Sequence, residues 1–477
     1  MSPESLSMDS LRDAVRGSAA AIRLRVRLQP AGGGLYGVKI FPPTYAGGVY
    51  ATEKRRIGDK IVECVLLDSV QSQANRLEQA LLQAYLDGKL KFPLLSVEFP
   101  AELPDVGEVT TLDAPHRIFD AILRDSEIDG KEGKILFRSQ LKAGGAKDTA
   151  KISDEGQAIS KANVRNATPL FELCPTALIF GAWDSTGAAG GLGNKFARAL
   201  TSEIVGVGAV YGVKTGGRLD PYAIEKGEIY EGKADGSYVV DRAEAKEDEH
   251  GEKVLFKRKG EKGKDSGTPA EINHGNIPPD LARYDLGKDQ SLNTPDPLRP
   301  DDIVRKGNVK VGGVTIEYAD QTTVLSLSAL RRLRFPAAEA NPISADDQDA
   351  SKRHVARTEA DHAARTVLAA LALAAIAHQI DPPDYFLRSN CQLVLEAEPP
   401  VFEIVFSASR TAAFTLTADQ ADSLFKTAVD EWKSAWKAAW NHEGNKLPWR
   451  EKKLTLTPKK ALVDLVRRSR ELGGGEA

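Results

Sequence analysis

Residues 22–28 alternate without a break, Ile22, Leu24, Val26 and Leu28 against Arg23, Arg25 and Arg27. A period of two marks a strand, because successive side chains leave opposite faces of a sheet. The chain must therefore build a sheet with one apolar face to cover and one face carrying three guanidiniums. That second face reads either as the solvated outer surface usual for an antiparallel sheet or as a surface turned toward phosphates.

Covering such a face needs apolar material. With 42 % hydrophobic residues in 477, the chain has enough for a sizeable core. Its length fits one large domain with insertions, or two to three smaller ones. The net charge of −3 argues against nucleic-acid binding over the whole surface, but not against local basic patches. Cys64, Cys174 and Cys391 stand alone, with no paired spacing. Neither a disulfide framework nor a zinc site is expected, and a cytoplasmic location fits. The mixed polar start of the chain does not read as a signal peptide. The most apolar stretch, 363–377, contains Arg365 and falls short of the roughly 18 residues a membrane span needs, so it reads as a buried helix.

Further elements follow from spacing. Gly32 to Gly48 reads as a loop, and Ile61 to Leu67 as a buried strand. From Val70 the period becomes helical, with Ala74, Leu77 and Leu81 on one face, Asp68 or Ser69 as N-cap and Gly88 just past the end. A helix is expected over 115–125, with Pro115 at its first position. Lys134 to Arg165 carries seven basic against three acidic residues. Leu170 to Gly181 reads as a strand region. The glycine-rich stretch Gly187 to Gly193 then opens a helix through Phe196, Leu200 and Ile204. From Thr215 to about Asp302 Gly, Lys, Glu, Asp and Pro dominate, as in an inserted, partly mobile arm. Strands resume over 309–333. Helices are expected at about 358–379 and 418–442, with strands at 391–396 and 401–407 between them. No tandem repeat is present.

Three features invite a chemical reading. The Gly187–Gly193 stretch resembles a phosphate loop, yet Asn194 precedes Lys195 and Phe196 follows it, so neither glycine fingerprint is met. Its glycines would still let backbone approach an anion, or would simply serve a tight turn. Ser69, Ser72, Gln73 and Asn75 are short donors at a helix start, with Arg76 one turn on; such groups grip phosphate and sugar without reading bases, or merely cap the helix. Trp432, Trp436 and Trp440 repeat every fourth residue, which fits a core or interface better than base stacking. No histidine spacing, Ser-His-Asp set or carboxylate pair marks a catalytic or metal site.

Pro42-Pro43-Thr44-Tyr45, the run Leu66 to Arg76, Gly181-Ala182-Trp183-Asp184-Ser185 with Lys195, Ser202 to Gly206 and Phe386-Leu387-Arg388-Ser389 together resemble the CRISPR-associated RAMP-superfamily backbone subunit of the type I-G (formerly I-U) Cascade complex. The resemblance spans about 21–213 and 309–406. It implies an α+β fold with an RRM-like (ferredoxin-like) core, formed by 1–214 and 303–477, with insertions forming a thumb and a web and an arm at 215–302. It implies several copies side by side on one CRISPR RNA, whose bases stay free to pair with a target DNA strand. The other partners implied are the Cascade subunits that bind and process the ends of the CRISPR RNA, the large subunit and the helicase-nuclease. No membrane, cofactor or metal is implied, and no enzymatic activity.

Candidate RNA contacts are the positions where donor chemistry meets these blocks: Ser69, Gln71, Ser72, Asn75, Arg76, Lys195 and Arg198. Arg23, Arg25, Lys39, Arg138, Lys142 and Arg165 extend the set, and Lys257, Arg258 and Lys259 form a basic tip for the thumb. Two alternatives stay open. One is a RAMP-type RNA-processing endoribonuclease, for which His116 is the histidine of the early core. The other is a nucleotide-binding enzyme using the glycine stretch.

Overall fold

The structure, a computed structural model, describes residues 3–46, 49–130, 133–138, 151–184, 195–213, 215–218, 227–257, 267–272, 277–281, 311–337, 349–440 and 446–473. The alternating segment forms β1 (Ala21–Pro30), with Ile22, Leu24, Val26 and Leu28 buried. Helix α1 (Met8–Arg16) precedes it. A hairpin follows, β2 (Thr52–Ile57) and β3 (Lys60–Asp68), leading into α2 (Val70–Leu86). Farther on come β4 (Leu200–Val207), β5 (Tyr318–Ser326) and α3 (Ala350–Ile380). The last group is β6 (Phe386–Arg388), β7 (Cys391–Leu395), β8 (Phe402–Ser407), β9 (Arg410–Phe414) and α4 (Ala418–Trp440).

The nine strands make one sheet, ordered β6-β7-β1-β5-β4-β3-β2, with β8 also on β1 and β9 on β8. Every pairing in it is antiparallel. Strands β7 and β8 share one edge of β1 end to end: Leu395 pairs with Leu28, and Val405 with Ala21. They act as a single interrupted strand rather than as a pair with each other. In chain order the sheet's centre reads β1, α2, β4, β5, α3, β7/β8, and in space β7/β8, β1, β5, β4.

Helix α3 is buried from Ala364 to Ala377 on every side, enclosed by the sheet, α1, α2 and α4. A helix apolar all round belongs in an interior, and its alanines let neighbours come close. It is long and apolar enough by composition to cross a membrane, yet 89 % of its most apolar window is packed inside the protein. Trp432, Trp436 and Trp440 line α4 as core: Trp432 meets Phe171 at 4.9 Å and Trp449 at 5.5 Å, and the Arg357 guanidinium lies over the Trp440 ring.

A second, five-stranded sheet joins Leu95–Glu98, Glu108–Thr110, Ser126–Gly130 and Gly133–Leu136 to the late strand Leu454–Pro458. A two-stranded ribbon leaves the core: Val210–Val213 pairs with Val311–Thr315, and Thr215–Arg218 with Ile277–Leu281.

Several local expectations change. Residues 170–181 are not strand but two short helices, Thr168–Leu173 and Thr176–Phe180. A fully buried apolar run carries no period to separate the two, and Pro169 and Pro175 suit helix starts. The helix expected through Phe196, Leu200 and Ile204 is strand, Lys195–Phe196 and then β4. A spacing of four is even, so it fits one face of a strand as well as one face of a helix. Between 115 and 125 the chain forms a 3-10 turn, Arg117–Phe119, and a separate short helix, Ala121–Arg124. The Asp120 carboxylate accepts from the amides of His116 and Ile122 and restarts the chain there. Strand β3 is buried only in its second half; Ile61 is exposed because this end pairs with the edge strand β2 alone.

Because α3 has neighbours on all sides, enlarging one of its small residues should be costly. Ala370→Leu should lower stability by about 1–3 kcal/mol in urea denaturation, with Ala356→Leu near the start of the same helix as the milder control.

Candidate nucleic-acid interface

Helix α2 begins where Ser69 Oγ accepts from the Ser72 amide at 3.3 Å. Directly beneath lies Gln73, 0 % exposed. Its amide nitrogen donates to Asp68 Oδ2 at 2.6 Å. Its oxygen accepts from Ser202 Oγ at 2.8 Å and Gln321 Nε2 at 3.0 Å. Gln321 also donates to Gln379 at 3.1 Å and accepts from the Tyr385 hydroxyl at 2.8 Å. Strands β4 and β5, the end of α3 and the start of α2 thus meet in one sealed polar network.

Arg76 extends it outward. Its Nε pairs with Asp68 Oδ2 at 2.9 Å, and its two Nη groups donate to the carbonyls of Phe386 at 3.1 Å and Leu387 at 2.7 Å. Arg388 in turn donates to the Pro42 carbonyl at 3.0 Å, and the Phe41 amide to the Asn390 carbonyl at 3.0 Å. The segments 41–45, 68–76 and 386–390 are therefore fastened together, with the Phe386 ring left exposed.

On the other flank of α2, buried Glu78 takes a bidentate pair from Arg117 at 2.6 and 2.7 Å. Arg117 also donates to the Gly181 carbonyl at 2.9 Å. Burial pushes the Glu78 carboxyl up to about 7, against the pull of Arg117 and Arg198. Gly181 has φ +82°, and a Cβ there would strike the Arg198 stem at 2.7 Å. The segment's far end is fixed as well: Asp184 pairs with buried Arg138 at 2.6 Å, and Arg138 donates to the Ile118 carbonyl at 3.1 Å. Between these anchors Ala182 and Trp183 ladder antiparallel with Phe196 and Lys195. The Lys195 ammonium lies 5.9 Å from the centre of the exposed Trp183 ring.

These contacts sort the candidate residues. Gln71 and Asn75 are exposed on α2, Ser72 and Ser69 half-exposed at its start. Lys195 and Arg165 are exposed. Arg198 is half-buried, and burial beside Arg117 lowers its pKa. The sequence places Lys195 and Arg198 on the first turns of a helix; the structure instead puts Lys195 on a short strand and Arg198 just past it. Lys39 donates to the Val213 carbonyl at 3.3 Å and lies over the Phe41 ring. Arg76 is half-buried and its guanidinium is engaged with Asp68 and the carbonyls of Phe386 and Leu387, while Arg138 is buried. Lys257 is exposed. Lys142, Arg258, Lys259 and the stretch Gly187–Gly193 lie outside the described residues.

The outer sheet face does not carry a free row of arginines. Arg23 pairs across the strands with Glu403 at 2.6 Å and Arg25 with Asp320 at 2.7 Å, while Arg27 lies over the Tyr318 ring at 4.2 Å. Arg55 pairs with Glu53 and with Glu203, the latter at 2.9 Å. Arg23, Arg25 and Arg55 thus each have a carboxylate partner on another strand. Gln73, read from the sequence as one of the donors that grip phosphate and sugar, is instead sealed in the core with its amide bonded at both ends. Glu78, Arg117 and Trp183 shape the site but are not among the candidates drawn from the sequence. Gln73 and Glu78 fall on the helix face of Ala74, Leu77 and Leu81, so their inward position was readable from spacing.

Fold and site together define an α+β protein in which one helix, α2, ties down the segments that flank it. Residues 22–210 match the family described as CRISPR-associated protein GSU0053, a span that runs from β1 through α2 and the 182–196 hairpin to β4. The match supports a CRISPR-associated protein with a role in CRISPR defence. No curated protein matches the chain.

Two measurements check this architecture. Removing Arg76 strands the buried Asp68 carboxylate, so Arg76→Ala should cost about 2–4 kcal/mol, read from denaturant midpoints, while Asn75→Ala should cost under about 0.5 kcal/mol. Glu78, raised in the folded state, holds a proton there that the unfolded chain has already released above about 4.5. The stability difference between wild type and Glu78→Gln should therefore fall as pH rises from about 4.5 to 7 and level off above. A difference that rises over that window would show the carboxyl is not raised.

Proposed function

We propose that the protein is a non-catalytic, cytoplasmic subunit that holds CRISPR RNA by its ribose-phosphate backbone, as the repeated backbone subunit of a type I-G Cascade complex. The supporting observation is the convergence on α2. Arg76 ties in 386–387, and through Arg117 Glu78 ties in Gly181, so three segments singled out in the sequence meet around one helix. Gln71, Asn75 and Lys195 are exposed on this frame. Helix-start amides, side-chain amides and an ammonium suit phosphate and sugar, and none of them selects a base.

The order β1, α2, β4, β5, α3, β7/β8 supports an RRM-like core, with the β2–β3 hairpin as an addition at its edge. In this reading 1–214 and 303–477 form the core and 215–302 the arm, carried on the two-stranded ribbon. The paired arginines of the outer sheet face make that face less suited to phosphate than the α2 end. Copies pack head to tail along the RNA, an open heterologous assembly, and the exposed bases pair with target DNA. Other Cascade subunits and the helicase-nuclease are the remaining partners.

Pure protein should bind single-stranded RNAs of unrelated sequence with similar affinity. Lys195→Ala combined with Arg198→Ala should weaken all of them alike and reduce the log–log salt slope by about 1.4, the value for two phosphate contacts on a single strand. The RNA should be recovered uncut. Salt-independent binding, strong sequence selectivity, or cleavage lost in His116→Ala would overturn the reading.

A further inference from the structure

Of the five tryptophans, Trp432, Trp436, Trp440 and Trp449 are 0, 2, 4 and 8 % exposed, and Trp183 is 52 % exposed. An indole left open to water forgoes the burial that makes aromatic residues valuable, so its surroundings show what it serves. Its neighbours in the chain are held by buried partners. Two residues before the ring, the Gly181 carbonyl is held by Arg117; the residue after it, Asp184, is held by Arg138 in a buried pair. The ladder partner of Trp183 is Lys195, whose ammonium lies within reach of the ring. Arg198 packs its stem on Gly181. A mounted ring loses little freedom when a ligand lies on it.

We infer that Trp183 and Lys195 form a stacking step for one nucleobase of the bound strand. The indole takes the base face, and the Lys195 ammonium takes an adjoining phosphate. This rests on the RNA-holding reading and adds to it a base contact that is indifferent to sequence, since every base offers a π-face. Stacking platforms for single strands set an aromatic ring beside basic groups that follow the backbone. Among the described residues, the ring's flanks hold a lysine, an arginine stem and an ion-paired aspartate.

Trp183 is its own reporter, because the other four indoles are buried. Iodide should quench one fraction of the emission, and that fraction should be missing in Trp183→Phe. A 12-nucleotide oligouridylate should quench and shield the same fraction. An abasic ribose-phosphate strand of equal length should bind without quenching. Trp183→Ala should weaken the oligouridylate by roughly tenfold and leave the abasic strand unchanged, with Trp183→Phe restoring most of the loss. Far-UV circular dichroism should be the same for all three proteins, as the ring lies outside the core. RNA that binds while the emission, the iodide access and the Trp183→Ala affinity all stay unchanged would overturn the stacking step and leave the RNA-holding reading standing. Shielding that depends on protein concentration without RNA would assign the ring to a protein contact and likewise overturn it. Failure of both strands to bind would overturn both readings.

Discussion

Gln73 lies under the first turn of α2 with both ends of its amide committed, one to Asp68 and the other to Ser202 and Gln321. In a low-dielectric interior each such bond is strengthened, and each missing partner would leave a polar group unsatisfied at roughly 1–3 kcal/mol. The network can close only when α2, β4, β5 and the end of α3 stand in one register. An apolar interface would tolerate small slides of helix over sheet; this one does not. The position of every exposed group on the first turns of α2 follows from that closure.

Two buried ion pairs carry the same register outward. Arg117 reaches from Glu78 to the Gly181 carbonyl, and Arg138 from Asp184 to the Ile118 carbonyl. Buried pairs add little net stability because desolvation offsets much of their attraction. Their effect here is geometric: they fix where the 182–196 hairpin leaves the core. The Arg76 clamp does the same for 386–387. Mounts at three places mean that a ligand meeting these segments would pay little to order them.

Much of this was legible beforehand. The alternation of β1, the helical face of α2 and its Ser69 cap, the apolar α3 and the tryptophan face of α4 all follow from period and composition. Segments 170–181 and 196–204 were not legible, because a buried run has no polar side to set a period and an even spacing serves both helix and strand. Side-chain roles were harder still. Arg76 and Asn75 are neighbours in sequence at a helix start, yet one turns inward to Asp68 and the other faces water. Arg138 sits in a basic stretch, but its partner Asp184 is 46 positions away. Long-range partners decide such cases, and a single sequence does not display them.

The outermost strand of the large sheet, β2, reads Thr52-Glu53-Lys54-Arg55-Arg56-Ile57. Glu53, Lys54, Arg55 and Arg56 set four consecutive charged side chains along a backbone rim that, among the described residues, is paired on one side only, and charged side chains blunt such an edge against growth by strand addition. A neighbour meeting that side would therefore be joined through side chains rather than through a shared ladder, by contacts that answer to ionic strength.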